Sequence, residues 1–197
     1  MAIKVYLEKA FDRLHWGFIE DSLIGTSFPM GLRRIIMECV KTSIIQVQWK
    51  CALSHSFQPE RGLRQGDPLS PHLFVLAMER LSHLINHSVA QGSWDPFRFF
   101  RHGLVLSHVC FADDLILYTK EDMTQAQNIH GILIVFGTSS GHRVSKRKTT
   151  MYFSPNTDSA LQYEISSFFG FQIVDCLEKY LGVLVLNRRA KCSDYDS

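Results

Sequence analysis

Two adjacent aspartates inside an apolar segment constrain this chain more than any other feature. Asp113 and Asp114 are preceded by the apolar residues 109–112 and followed by the apolar residues 115–118. This pattern predicts two strands that meet at the aspartates. Neighbouring carboxylates repel each other, and an unpaired buried carboxylate is costly, so a positively charged group is expected beside them. An aspartate pair on its own is more often a solvated turn than a metal site.

The composition is that of an ordinary globular protein. Of the 197 residues, 46% are hydrophobic and 20% are charged, which fits one folded domain and not a disordered chain. The formal net charge of +2 is too small to indicate nucleic acid as a partner by itself. The five cysteines form no CxxC pair, so neither a zinc site nor a disulfide framework is indicated.

The sequence contains no segment typical of secretion or membrane insertion. Residues 1–13 include several charged side chains and no apolar signal region. The apolar run at 132–136 is far shorter than the ~20 residues that span a bilayer. We therefore expect an intracellular protein, nuclear or cytoplasmic, that is not secreted and has no membrane partner.

Hydrophobic periodicity predicts short strands mixed with helices. Helical spacing occurs at 16–23, 32–40, 123–136 and 159–169, and strand patterns occur at 3–7, 43–49, 104–119 (two strands), 149–154 and 180–186. Ser70 and Pro71 are typical of a helix start, with serine as the N-cap, and the apolar face that follows extends to about Ile85. Strands and helices do not alternate strictly, so we expect an α+β fold with a mostly antiparallel sheet packed against helices.

A series of short motifs is far more specific than the aspartate pair alone. The motifs are KAFD at 9–12, RQGDPLSP at 64–71, FADD at 111–114, SGHRVSKRK at 140–148 and YLGV at 180–183. In this order and spacing they resemble the reverse transcriptase of LINE-type (non-LTR) retrotransposons, particularly those of plants. The resemblance covers nearly the whole chain. It implies a single palm-domain fragment over 1–197, with its core motifs within 3–186, the fingers incomplete and the thumb missing.

The resemblance implies an RNA-directed DNA polymerase that extends a DNA primer on an RNA template. In such enzymes two divalent ions, Mg²⁺ or Mn²⁺, clamp the attacking and leaving oxygens of an in-line phosphoryl transfer. Mg²⁺ prefers carboxylate oxygens and substrate phosphates. Asp113 and Asp114 match the catalytic metal ligands of the family. The ions would supply the positive charge expected beside the aspartates.

Other residues match family positions one at a time. Phe11 matches the aromatic gate that excludes a ribonucleotide 2′-hydroxyl, and simple core packing is its alternative. Gln65 and Gly66 match a substrate-binding loop beside the incoming nucleotide and template base, where glycine permits a close approach of the backbone. Lys148 matches a catalytic lysine near the leaving pyrophosphate. The cluster of Lys148 with its basic neighbours at 146–147 is equally consistent with a solvated face or a contact with backbone phosphates.

The first catalytic position of the family departs from its pattern. The family motif reads DLxKAFD, and Tyr6 occupies the place of its first aspartate. A phenol with a pKa of about 10 is neutral at pH 7 and is a poor ligand for Mg²⁺. Glu8 lies roughly 6.5 Å farther along the strand, and Asp12 belongs to the motif in its own right, so neither replaces the missing carboxylate. We therefore expect a palm that is catalytically dead as it stands.

Two functional classes remain open from the sequence. The first is a reverse transcriptase domain, active or inactive. The second is a non-catalytic module that uses the palm to bind nucleic acid or protein. Metal-dependent primer extension favours the first class, and binding that does not depend on Asp113 or Asp114 favours the second. The oligomeric state stays open.

Overall fold

The computed structural model describes residues 1–98, 103–180 and 183–185. Within this part, the helices are α1 (Ala10–Arg13), α2 (Trp16–Gly25), α3 (Met30–Lys41), α4 (Ser70–Ala90), α5 (Met123–Ser140) and α6 (Ser159–Phe169). The strands are β1 (Ala2–Val5), β2 (Gln48–Trp49), β3 (Ala52–Leu53), β4 (Phe97–Arg98), β5 (Val105–Leu106), β6 (His108–Phe111), β7 (Asp114–Tyr118), β8 (Thr150–Tyr152), β9 (Gln172–Ile173), β10 (Leu177–Tyr180) and β11 (Val183–Val185).

A five-stranded sheet organises the fold, with the strand order β6-β7-β1-β8-β9. The central strand β1 pairs antiparallel with β7 on one side and with β8 on the other. Strands β6 and β7 form an antiparallel hairpin, whereas β8 and β9 pair in parallel. The remaining strands form three separate antiparallel pairs. The predicted α+β fold with a mostly antiparallel sheet is confirmed.

The two faces of the central sheet have different neighbours, because side chains alternate along each strand. Ile3 of β1 and Leu117 of β7 belong to the large core cluster, which also contains the buried residues of the helices. Ala2 and Ile116, on the opposite face, form a small separate cluster. The helices therefore cover one face of the sheet, and the even-numbered residues of β1 and β7 lie on the other.

Helices α2, α4 and α5 supply most of the core on the covered face. α4 contacts α2, α5 and β6. The helical side chains Leu23, Phe74, Leu81, Ile85 and Ile129 are almost completely buried. Burial of a side chain of this size stabilises the fold by about 1.5–3 kcal/mol relative to exposure. The apolar face predicted from the start of α4 to Ile85 is confirmed as core.

The start of α4 differs by one residue from the prediction. Ser70 is the first helical residue, and Leu69 takes the N-cap position without a side-chain bond. The carboxylate of Asp67 accepts a 2.8 Å hydrogen bond from the Leu69 N–H, and the Asp67 carbonyl accepts a 3.2 Å bond from the Ser70 N–H. The prediction of serine as the N-cap is wrong, because the Asp67 turn already satisfies the donors that precede the helix.

Most of the predicted elements are confirmed. The predicted helices correspond to α2, α3, α5 and α6, and the predicted hairpin around the aspartates is β6 and β7. α5 continues to Ser140, where Gly141 ends it with φ 88°, a left-handed conformation that glycine adopts without a Cβ penalty. The predicted strand at 180–186 lies partly outside the described residues, at positions 181, 182 and 186; Val183–Val185 is a strand.

The predicted strand at 43–49 is wrong for most of its length. β2 contains only Gln48–Trp49, and Ile45 forms an isolated bridge with Phe57. Ile44 and Val47 are exposed. The β-branched pattern was typical of a half-buried strand, but no layer of the described structure covers this segment, so tertiary packing does not support an extended strand.

In the described part of the chain, no helix has the length and hydrophobicity needed to span a bilayer.

A buried histidine ties the end of α5 to the start of α1. His142 Nε2 lies 3.0 Å from the Ala10 carbonyl oxygen, and Nδ1 lies 2.8 Å from Ser140 Oγ. Because a carbonyl only accepts, Nε2 carries the proton of the neutral ring. The pKa of His142 is lowered to about 4, mainly by burial and also by nearby Arg13 and His15, against the opposing effect of the hydrogen bond to Ala10. His142 is therefore neutral at pH 7.

We expect His142 to make stability fall with decreasing pH. The unfolded histidine takes up a proton below its ordinary pKa of about 6.5, whereas the folded ring does so only near pH 4. The free energy of unfolding should therefore drop by about 2 kcal/mol between pH 7 and 4.5 because of this group. In urea unfolding of His142→Gln, the free energy of unfolding should not show this decrease of about 2 kcal/mol between pH 7 and 4.5. The exposed His83→Gln variant should keep it, and equal slopes for all three proteins would contradict the assignment.

Candidate active site

The two aspartates lie at the tip of the β6–β7 hairpin. Phe111 pairs with Asp114, so Ala112 and Asp113 alone form the turn. Ala112 adopts a left-handed φ of 52°, which tight two-residue hairpin turns require. Asp113 is exposed and Asp114 is half-buried. The hairpin predicted around the aspartates therefore presents one carboxylate at the turn and the other at the start of β7.

Tyr6 follows the last residue of β1 and lies next to the hairpin tip. β1 and β7 pair up to Val5 and Leu115, and continuing this antiparallel register by one residue places Tyr6 opposite Asp114. Both residues lie on the sheet face that the helices do not cover. The Tyr6 side chain is 41% exposed. The structure thus brings together the aspartates and the position at which the sequence departs from the predicted motif.

The backbone of Tyr6 is anchored on the side away from the hairpin. Its N–H donates a 3.1 Å hydrogen bond to Oγ1 of the fully buried Thr149. Its carbonyl oxygen accepts a 2.9 Å bond from the Ser145 N–H. One residue farther along, Leu7 forms an antiparallel bridge with Val144. The segment 144–149, which directly precedes β8, therefore extends the pairing of β1 past the first residue of β8.

The ammonium group of Lys148 lies on the Tyr6 side chain. Its Nζ donates a 3.1 Å hydrogen bond to the phenol oxygen and lies 4.2 Å from the centre of the ring. The ring face attracts a cation, and such a contact at an exposed site contributes about 0.5–1 kcal/mol. A cation is thus held at the position where the predicted motif has an aspartate. This contact between two predicted positions was not foreseen from the sequence.

His108 and Cys110 of β6 supply neither a positive charge nor a reactive nucleophile at the hairpin. Burial lowers the pKa of His108, so its ring is neutral at pH 7. Burial also raises the pKa of the Cys110 thiol, and the charges of Glu79 and Asp113 raise it further. The thiol therefore stays protonated, whereas a reactive cysteine needs a lowered pKa.

The donor set at the hairpin does not fit two magnesium ions. Among the described residues, no three His, Cys, Asp or Glu side chains come close enough to hold a metal ion. Asp113 and Asp114 supply two carboxylates, and the neutral phenol of Tyr6 stands where a third would be. Mg²⁺ is bound through one or two carboxylates together with waters and substrate phosphates, so the two aspartates could serve one ion, whereas two ions would lack a carboxylate at position 6.

A loop before α4 is bound tightly to the segment that follows Tyr6. The Leu63 N–H donates to the Phe11 carbonyl at 2.9 Å, and the Gly62 N–H donates to the Leu14 carbonyl at 2.8 Å. The Gly62 carbonyl accepts a 2.8 Å bond from the Trp16 indole. These bonds carry Gln65 and Gly66, just beyond the loop, to the same end of the sheet as Phe11.

Comparison with known proteins decides the family. The model of the family described as "Reverse transcriptase (RNA-dependent DNA polymerase)" matches residues 1–183. The chain belongs to the reverse transcriptase family. The predicted membership of the reverse transcriptase family is confirmed, and the relatives described next include retrotransposon polyproteins.

Three relatives illustrate the range of similarity. An uncharacterized mitochondrial protein of Arabidopsis thaliana is 48% identical over 56 residues, which cover 28% of this chain and 46% of that protein. The Pol polyprotein of the retrotransposable element R2DM of Drosophila melanogaster is 32% identical over 120 residues, 59% of this chain and 10% of the polyprotein. The R2 polyprotein of Nasonia vitripennis is 30% identical over 58% of this chain and 10% of its own length. The chain spans less than half of each relative.

Telomerase reverse transcriptases share the fold. A telomerase of Candida albicans, solved in complex with the TWJ fragment of telomeric RNA, superposes with a TM-score of 0.57 at 17% identity over 80% of this chain and 27% of that one. An apo telomerase of Candida tropicalis gives a TM-score of 0.58 at 14% identity over 80% of this chain and 31% of that one. At such low identity the likeness concerns the fold, and it supports the predicted palm-type sheet.

The remaining predicted site residues of this family member differ in their surroundings. Phe11 is half-buried and stacks on Phe74 of α4, with ring centres 4.4 Å apart and planes at 12°. This contact supports the core-packing alternative, and the gate role stays a prediction. Gln65 and Gly66 are exposed, and no atom lies within 4 Å of a Cβ built on Gly66. The position of Gly66 is therefore open to a ligand.

We expect the close fit of the loop to α1 to make Gly62→Ala much more destabilising than Gly66→Ala. Both glycines have a φ of +87°, so both variants bear the same left-handed strain of about 1–2 kcal/mol. At Gly62 the new Cβ would also lie 2.7 Å from the Asp12 carbonyl oxygen, whereas at Gly66 it meets nothing. Urea unfolding of both variants measures the difference, and equal losses would show that the loop does not pack on α1 as described.

Proposed function

We propose that this chain is a reverse transcriptase palm in which metal-dependent nucleotidyl transfer is blocked at Tyr6. The observation that carries the proposal is the contact of Tyr6 with Lys148, which puts a phenol with a bound ammonium group, and no carboxylate, at the position opposite Asp114. A carboxylate at this position would attract divalent ions, whereas an ammonium repels them. The second predicted class, a non-catalytic binding module, remains compatible with a blocked site.

Within this proposal, Asp113 and Asp114 are the two remaining metal-binding residues of the family motif. Reverse transcriptases generally use divalent metal ions, and Mg²⁺ or Mn²⁺ would stabilise the charge of the reacting phosphates when bound. The incomplete set of carboxylates supports weak binding at best. The two aspartates therefore retain their place at the hairpin tip without the third carboxylate that would complete the site.

The substrate side of the proposed site lies around Phe11, Gln65 and Gly66. The exposed backbone of Gly66 and the side chain of Gln65 are accessible to a template base or an incoming nucleotide. The ring of Phe11 is fixed by Phe74, which would hold it in one position beside a nucleotide sugar. An RNA template with a DNA primer is the proposed nucleic-acid partner.

Lys148 has two competing roles in the proposal. In the family, the matching lysine lies near the leaving pyrophosphate. Here its ammonium is bound by the phenol and ring of Tyr6. Because the contact is exposed and weak, the lysine can leave it when a phosphate group arrives. The contact therefore offsets only a small part of the attraction between Lys148 and a phosphate.

We expect Tyr6→Asp to create a site for divalent ions. The new carboxylate would complete the set with Asp113 and Asp114, so Mn²⁺ should bind at least about tenfold more tightly than to the unchanged protein, a gain of ~1.4 kcal/mol. Electron paramagnetic resonance of free Mn²⁺ measures this binding without any catalysis. Tyr6→Phe, which keeps the ring and removes the hydroxyl, should bind no better than the unchanged protein. Mn²⁺ binding by the unchanged protein that is as tight as binding by Tyr6→Asp would contradict the proposal.

Primer extension tests the proposed block directly. With an RNA template, a DNA primer and Mg²⁺ or Mn²⁺, the unchanged chain should give no product above the background measured with Asp113→Ala. Tyr6→Asp should raise extension by about 100-fold or more, because an electrostatic group of this kind is worth about 10²–10³ in rate.

Two results would decide against this explanation. Extension by the unchanged chain that Asp113→Ala abolishes would show that some other group replaces the missing carboxylate. Mn²⁺ binding by Tyr6→Asp without extension would show that Tyr6 alone does not account for the block. The matched control is Asp113→Ala in the Tyr6→Asp background, which should remove any product that appears.

A further inference from the structure

A cleft on the helix side of the sheet is separate from the candidate active site. It has a volume of about 520 Å³ and lies between the second half of α5, the segment that follows α5, the α1–α2 connection and the end of α6. Its apolar floor includes Leu133, Phe169 and Phe171. Neither Tyr6, the hairpin aspartates nor Lys148 lines it.

The polar lining of this cleft carries charge of one sign. Four permanently charged cations line it, Arg13, Arg61, Arg143 and Lys146, and no Asp or Glu does. Arg61, Arg143 and Lys146 are exposed, and none of the four forms an ion pair with a described carboxylate. Arg13 donates from Nε to the Gly141 carbonyl at 3.3 Å, which leaves its other donors free. We call these four residues the basic cleft.

Several elements of the fold bring the basic cleft together. Arg143 follows Gly141, which has φ +88° and whose added Cβ would lie 2.4 Å from the Arg13 carbonyl oxygen and 2.6 Å from the His15 ring. Only glycine lets the chain pass this close to the α1–α2 connection. Lys146 reaches the end of α6, with Nζ 3.9 Å from a Cβ built on Gly170. The cations therefore converge from parts of the chain that are distant in sequence.

The chemistry of the basic cleft favours phosphate groups. Cations gathered without a counter-charge create a positive potential that attracts anions, especially where low-dielectric walls focus it. Guanidinium groups bind phosphate oxygens in a bidentate manner, and three of the four cations are arginines. The floor rings Phe169 and Phe171 are buried, so bases cannot stack on them and recognition would rest on the backbone.

We propose that the basic cleft binds the backbone phosphates of single-stranded RNA, independently of base sequence and through residues other than the hairpin aspartates. The segment 141–148 would then contribute to the basic cleft and to the candidate active site, because Arg143 and Lys146 belong to the basic cleft while Lys148 contacts Tyr6. The proposal goes beyond the proposed function, since RNA bound there does not require a metal ion or a primer.

The test is the salt dependence of binding to a fluorescently labelled single-stranded RNA without a primer. Each lost phosphate contact should lower the slope of log K against log salt by ~0.7 for a single strand. The double variant Arg143→Gln/Lys146→Gln should therefore lower the slope by about 1.4 and weaken binding by about 25-fold at 0.1 M salt. Both side chains are exposed and have no described partner, so the unfolding midpoint should not change.

The matched control is Arg34→Gln/Lys50→Gln, which removes the same charge, again from one arginine and one lysine, at exposed positions outside the basic cleft. It should retain nearly the full slope. Equal losses for the cleft and control variants would overturn the proposal in favour of diffuse surface charge. Binding of inorganic pyrophosphate or an acidic peptide in the basic cleft, without binding of RNA, would also overturn it.

Failure of this proposal is distinguishable from failure of the proposed function. Weaker RNA binding by Arg143→Gln/Lys146→Gln supports RNA binding in the basic cleft, whether or not any variant extends a primer. Conversely, extension by the unchanged chain would contradict the block at Tyr6 and leave the RNA measurement unaffected. RNA of different base sequence should bind with affinities within about threefold, since each tenfold preference would need ~1.4 kcal/mol of base-specific contact; a larger preference would contradict backbone recognition.

Discussion

The pairing of β1 with β7 and β8 is the constraint on which the rest of the structure depends. β1 lies in the centre of the sheet, with the aspartate hairpin on one side and the strand that follows the basic segment on the other. Because an antiparallel register fixes which residues are neighbours, it places Tyr6 beside both Asp114 and Lys148. A shift of one residue would turn Tyr6 to the covered face and separate these side chains.

The same pairing explains the charge arrangement at the hairpin. The sequence led to the expectation of a positive neighbour for the aspartates, a role assigned to metal ions. The structure provides another cation, the ammonium of Lys148, held by the side chain of Tyr6. Lys148 forms no ion pair with either aspartate among the described residues. Asp113 is exposed and Asp114 is half-buried, so water can solvate both carboxylates and the fold does not require a cation beside them.

The sequence predicted the local structure well where packing and pattern agreed. The hairpin around Asp113 and Asp114, the helix at 159–169 and the long helix after Pro71 all appear as expected. The prediction of a strand at 43–49 was wrong, because its β-branched pattern is typical of a half-buried strand, whereas Ile44 and Val47 are exposed in the described structure. The predicted N-cap of the long helix was wrong by one residue, because the turn at Asp67 supplies the hydrogen bonds that a serine cap would otherwise provide.

The sequence by itself determined the family and the order of the motifs, and it predicted the departure from the family motif at Tyr6. These follow from residue identities and short spacings, which do not depend on the final packing. Only the tertiary structure decided that Lys148 contacts Tyr6, 142 residues away, and that Arg13, Arg61, Arg143 and Lys146 line one cleft. Contacts at such separations depend on strand register and helix packing, and periodicity within a short window carries no information about either.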